Sequence, residues 1–301
     1  MIRTQRSQLD DRTHRRGVTR PGVVGPDLGF FLAVTFAVSW SAWGLAILTD
    51  RPATTPPTVV LFLLGGFGPA FGALATWARR RRRGQPPPDT ARRVNGLRWL
   101  FPALLLGAGP VVVATLLTPA FGGPAWNPAP GGTAVRDLGG PVTFALLYLI
   151  AGPLSEEFGW RGTAHPRLRR VMGPYGVGLA SGTVWVLWHL PLFLIPGSAQ
   201  YAVGFVGFDF AFYVFSCYPQ AVLLGHAYEN WRGGVAGAVT VHFSYNVAAT
   251  LLDADSVVAL ALLLAAQTIA AVGLTQWARH RGADGPARAA TSGRRGPEID
   301  K

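Results

Sequence analysis

Two adjacent carboxylates, Glu156 and Glu157, close a long apolar run in the stretch Ser155-Glu156-Glu157-Phe158-Gly159-Trp160-Arg161-Gly162. A carboxylate inside a bilayer costs about 2.5–3.5 kcal/mol on insertion scales, so it is retained there only with a partner or a task. Glu157 and Arg161 are four residues apart and share a helix face, where pairing offsets part of that cost. Glu156 is rotated about 100° from its neighbour and faces another partner. A buried carboxylate of this kind can act as a general base. Two further apolar runs carry polar residues at helical spacing. One holds Trp185 and His189 at i, i+4, the other His242 and Asn246 at i, i+4. Imidazole can move a proton, and Asn or His N–H groups can stabilise a developing oxyanion.

Each of these residues alone has a bland reading. A lone intramembrane His or Asn serves first as an interhelical hydrogen bond, and a Glu pair at a helix end can be interfacial. Together, at matched depth in an otherwise apolar chain, they read as a site. At about 1.5 Å per residue from the arginine-bearing ends, His189 lies ~18 Å deep, His242 ~14 Å and Glu156 ~8 Å, which predicts a polar cavity open to the cytoplasm.

The elements that must position them are transmembrane helices. The chain of 301 residues is 50% hydrophobic and only 14% charged, far below the roughly 25% charge of soluble domains. Apolar runs long enough to cross about 30 Å of hydrocarbon occur at 28–49, 58–78, 99–117, 141–161, 177–195, 208–225, 233–252 and 256–277. The expected fold is therefore all-α: a polytopic membrane helix bundle of about eight transmembrane helices over residues 28–277, between basic tails at 1–27 and 278–301 that are expected to be disordered. The first run has no small-residue cleavage site after it and reads as a retained span. Gly65, Gly66, Gly68 and Gly72 suit close helix packing.

The net charge of +12 resembles a nucleic-acid signal until the arginines are placed. They flank apolar runs on alternate loops, so no nucleic-acid partner is expected; the partner is the lipid bilayer. The same asymmetry predicts a multi-pass protein of the cell (plasma) membrane with both termini cytoplasmic. Cys217 is the only cysteine and is expected as a buried thiol. His226 and Glu229 fall in an expected cytoplasmic loop, and His14, His165 and His280 in basic segments expected to be solvated. Asp209 suits a helix N-terminus.

In order and spacing, Glu156-Glu157-x-x-x-Arg161, Trp185-x-x-x-His189 and His242-x-x-x-Asn246 resemble the motifs of the CPBP intramembrane proteases, which include type II CAAX prenyl endopeptidases and bacteriocin-processing or immunity proteins. The resemblance covers about residues 140–252, and the second motif departs from the usual Phe by opening on Trp185. It implies an endopeptidase acting on a membrane-associated protein or peptide. Glu156 would activate water with help from His189, and His242 and Asn246 would bind the oxyanion. Glu157, Arg161 and Trp185 would support them. A zinc centre of His189, His242 and Glu156 stays open beside a metal-free site. No His-Glu-x-x-His, Gly-x-Gly-Asp or rhomboid-type serine motif is present. A scaffold or immunity protein of the same fold has no need for the full set, and a transporter would carry polar residues along a whole path.

Overall fold

The computed structural model describes residues 24–85, 96–231 and 233–292, with side chains placed to residue 280. His14 and the tail ends lie outside the described residues. Among the described residues every regular element is helical. In chain order these are α1 (Val24–Leu48), α2 (Thr58–Gly66), α3 (Gly68–Arg82), α4 (Leu100–Leu117), α5 (Ala129–Asp137), α6 (Pro141–Leu168), α7 (Pro174–His189), α8 (Ala199–Val203), α9 (Phe208–Glu229), α10 (Gly234–Leu252) and α11 (Val257–Ser292).

Among the described residues, five helices are individually long and apolar enough to span a membrane. The bent pairs α2–α3 (49°) and α5–α6 (83°), where each is counted as one span, bring the count up to seven. The remaining span expected from the sequence, α9, is interrupted by Asp209, Ser216, Gln220, His226 and Glu229 and packs inside the bundle against α7, α10 and α11. The second expected span is thus two helices, meeting where Phe67 precedes Gly68-Pro69. Residues 129–137, expected as loop, form α5.

Helix boundaries differ from expectation where charged residues find partners. Asp27, assigned to a tail, lies in α1, is buried, and pairs with Arg80 at 2.5 Å and with Arg167 at 3.9 Å. α6 does not end near Arg161 but runs to Leu168. His165 and Arg167, expected in a solvated loop, are buried; Arg167 donates to the Thr163 carbonyl at 2.6 Å and His165 sits 2.8 Å from Glu229. His226 and Glu229 belong to α9, not to a loop, and His226 is buried. α11 continues past Trp277 to Ser292, through residues expected as disordered tail. His280 is exposed, as expected.

Lipid tails are as apolar as leucine, so the helices are held by close packing and interhelical hydrogen bonds worth about 0.6 kcal/mol on average. Trp188 Nε1 donates to Ser39 Oγ at 2.7 Å, and Ser39 Oγ donates to the Gly65 carbonyl at 2.7 Å, stitching α7, α1 and α2. Trp43 Nε1 donates to the Phe62 carbonyl at 3.0 Å. Trp188 packs against both Trp43 and Trp160. α6 meets α3 at Gly159, where a Cβ would lie 2.5 Å from both Cβ and carbonyl O of Pro69; only glycine permits this approach.

α6 carries two π-helical segments, Ile150–Leu154 and Trp160–Ala164, on either side of the α-helical turn Ser155–Gly159. Pro153 lacks an N–H and cannot join the regular hydrogen-bond ladder, which accounts for the first of them. Such single-turn bulges re-aim side chains and are frequent at functional sites. The turn they bracket is the one that bears Glu156 and Glu157.

Candidate active site

Three helices converge on the bracketed turn. α6 supplies Glu156 and Glu157, α7 supplies Trp185 and His189, and α10 supplies His242 and Asn246. Glu156, His189, His242 and Asn246 all line one cavity of about 240 Å³. The four residues singled out from spacing alone are therefore brought together. Glu156, His189 and His242 are each at most 7% exposed.

Glu156 Oε2 accepts a 2.8 Å hydrogen bond from Trp185 Nε1. Its other oxygen faces the cavity beside Asn246: a Cβ placed on Gly152 would lie 3.7 Å from both Glu156 Oε1 and Asn246 Nδ2. The missing side chain at Gly152 keeps that space open.

His189 Nδ1 lies 2.8 Å from the Trp185 carbonyl, an acceptor, so Nδ1 carries the proton and Nε2 the lone pair. Trp185 thereby holds both reactive candidates, one through its ring and one through its backbone. Its ring also meets His242 edge-on at 5.5 Å, and the Arg161 guanidinium carbon lies 5.8 Å from the ring centroid.

Glu157 is fully buried, with Arg161 Nη1 2.9 Å from Oε2 and donating to Oε1 at 3.1 Å. The i, i+4 pair is present as the spacing implies. The pair has a third member that spacing does not reveal: His242 Nδ1 donates to Glu157 Oε1 at 2.9 Å. His242 thus contacts the second glutamate directly, while its ring lines the cavity shared with the first. A carboxylate on Nδ1 fixes the orientation of an imidazole and which nitrogen carries the proton.

The depth of the site differs from expectation. With α6 continuing to Leu168, Arg167 lies 11 residues beyond Glu156, roughly 16 Å along the helix, farther from the arginine-rich end than the ~8 Å expected. The cavity lining extends toward Leu192 and Gln200, at the arginine-poor end, and includes no arginine. The cavity therefore runs away from the basic face, not toward it.

α9 was not identified as a contributor, yet Tyr213, Cys217 and Gln220 line the cavity. Their i, i+4, i+7 spacing is the stripe that could have marked them. Cys217 is buried and free, as expected.

Among the described residues, no three His, Cys, Asp or Glu side chains converge as a metal-ion set. The bonds to Trp185 and Glu157 leave Glu156 Oε1 and the Nε2 atoms of His189 and His242 uncommitted, so these bonds do not exclude the zinc centre considered from sequence; no step is routed through a metal.

A carboxylate, two imidazoles and a carboxamide thus surround one cavity inside an apolar helix bundle, a set able to activate water and bind an oxyanion. The sequence model of the Rce1-like family, type II CAAX prenyl endopeptidases, matches residues 138–248, the segment from the approach to α6 through most of α10. The CAAX prenyl protease 2 of Methanococcus maripaludis is 25% identical over 231 residues, covering 74% of this chain and 83% of that protein. These two similarities support a protease of the CPBP intramembrane type, a peptide hydrolase.

Proposed function

We propose that the protein is an intramembrane endopeptidase that cleaves a peptide bond of a membrane-associated protein with a water activated by Glu156. The observation that carries this reading is the open space at Gly152, faced by both Glu156 Oε1 and Asn246 Nδ2. A water there can pass its proton to Glu156 as its oxygen adds to the scissile carbonyl carbon. His189 Nε2, with its lone pair, is suited to orient or share that proton.

The tetrahedral oxyanion then needs donors. Asn246 Nδ2 supplies one. His242, its Nδ1–H held by Glu157, supplies another from Nε2–H as imidazolium. Collapse of the intermediate breaks the C–N bond, and the proton held by Glu156 passes to the leaving amine. Arg161 balances the Glu157 charge throughout.

The relative's name, CAAX prenyl protease 2, makes a prenylated CAAX peptide the first substrate to try. The arginine distribution supports a plasma-membrane protein with both termini cytoplasmic. The experiment is incubation of the purified protein in lipid nanodiscs with farnesylated and unmodified CAAX peptides, with and without a chelator, and mass analysis of the products. Release of a C-terminal tripeptide, insensitive to chelator, supports the reading. Intact peptides together with no new termini among co-reconstituted membrane proteins contradict it.

A further inference from the structure

A second cavity, separate from the catalytic one, lies at the arginine-rich end where α7, α9 and α11 meet. It has a volume of about 240 Å³ and its polar lining includes His165, Arg169, His226, Glu229, Asn230 and Arg279. It adjoins an apolar groove of about 530 Å³ between the same three helices, walled by Tyr175, Leu179, Tyr218, Leu264 and Val272. Val222 lines both spaces, and Pro174 of the polar chamber precedes Tyr175 of the groove. Leu179 and Val272 are exposed and, in a bilayer, face the acyl region. A polar chamber at the helix ends thus opens onto an apolar channel that descends along the spans.

The chemistry of the chamber selects an anion. Arg169 is engaged by Glu229, with Nη2 3.4 Å from Oε2, and by the Met172 carbonyl at 2.8 Å. Arg279 is exposed, its guanidinium carbon 4.9 Å from the Tyr175 ring centroid, so two arginines stand against one carboxylate. His226 supplies an independent sign. Asn230 Nδ2 donates to the His226 carbonyl at 3.0 Å and lies 3.3 Å from His226 Nδ1, which makes Nδ1 the acceptor and Nε2 the N–H. That Nε2 is buried without a hydrogen-bond partner among the described residues, in a side chain only 7% exposed. A buried donor without an acceptor calls for one from outside the protein, whether water, ion or ligand.

We propose that this is a binding site for an anionic phospholipid, with the phosphate held by His226 Nε2–H and the Arg279 guanidinium and an acyl chain laid in the groove between α7, α9 and α11. A charge-assisted contact to phosphate favours the anionic lipid, and the groove requires that the ligand carry a chain.

The test is native mass spectrometry of the full-length protein in detergent, titrated with phosphatidylglycerol, phosphatidylcholine or glycerol 3-phosphate. The wild type should retain phosphatidylglycerol roughly tenfold more tightly than phosphatidylcholine. Arg279→Gln, at an exposed position, and His226→Phe should each reduce that preference, and Leu264→Trp in the groove should weaken both lipids. Equal retention of phosphatidylglycerol by Arg279→Gln and His226→Phe overturns the site. Binding of glycerol 3-phosphate as tight as that of phosphatidylglycerol overturns the lipid as occupant. The readout is lipid retention, so it stands or falls independently of proteolysis.

Discussion

Trp185 Nε1 donates to Glu156 Oε2 at 2.8 Å, while the carbonyl of the same tryptophan accepts from His189 Nδ1. One residue therefore orients the carboxylate and one of the imidazoles of the site. The family's usual Phe at this position keeps an aromatic wall but has no N–H to donate. Trp185→Phe removes the ring hydrogen bond and leaves the carbonyl in place. A hydrogen bond to a charged group contributes about 1.5–3 kcal/mol, so kcat should fall by roughly tenfold or more. KM and thermal stability should change little. Steady-state kinetics and a melting curve on the purified variant check this.

Arg161 and Glu157 form a buried pair, and removing one partner leaves an uncompensated charge that costs about 3–5 kcal/mol. Arg161→Leu should therefore lower the unfolding temperature sharply. Glu157→Gln added to it should restore much of the stability, because the orphaned carboxylate is gone. Activity should not return with stability, because His242 has then lost the carboxylate on Nδ1. Detergent melting curves alongside a cleavage assay separate the two effects.

Gly152 keeps open the space between Glu156 and Asn246. The first added atom of Gly152→Ala would sit in ordinary contact at 3.7 Å from each, so the fold should tolerate it while the water position is crowded. Gly152→Val should go further and abolish turnover with the protein still folded, as read by cleavage assay and gel filtration.

At the arginine-rich end, burial alone would raise the Glu229 carboxyl, but hydrogen bonds from His165 and Arg169 outweigh it and hold the group at about 2, against an ordinary 4.5. Arg169 supplies positive charge beside the carboxylate, and His165 Nε2 lies 2.8 Å from it. A carboxyl depressed on folding stabilises the native state above its unfolded value. That contribution is full above about 4.5 and drains away as pH falls toward about 2. Glu229→Gln should melt lower than wild type at neutral pH, and the gap should narrow on acidification through that window. Melting temperatures of both proteins across pH measure it.

The intramembrane polar residues were legible because a bilayer makes each of them costly. Glu156, Glu157, His189, His242 and Asn246 needed only their positions in apolar runs to be noticed. What stayed hidden was partnership across distance. Asp27 and Arg80 are 53 residues apart and His165 and Glu229 are 64 apart. Without those contacts Asp27, His165, Arg167 and Glu229 read as solvated charge, which ended α6 too early and set the site too near the basic face. The role of His242 was blurred for the same reason, since its contact with Glu157 spans 85 residues. α9 carries no motif, so Tyr213, Cys217 and Gln220 looked like ordinary intramembrane side chains until the bundle turned them toward the cavity.

In the proposed mechanism Glu156, and not Glu157, takes the proton of the attacking water. The most direct measurement is the cleavage rate of purified Glu156→Gln against wild type on one peptide substrate in nanodiscs, with folding verified by its melting curve. The amide keeps the shape and can still accept from Trp185, but it cannot act as a base. A folded Glu156→Gln whose rate falls by a factor of at least about 10² agrees with general-base catalysis by this carboxylate. A folded Glu156→Gln that cleaves at the wild-type rate contradicts it.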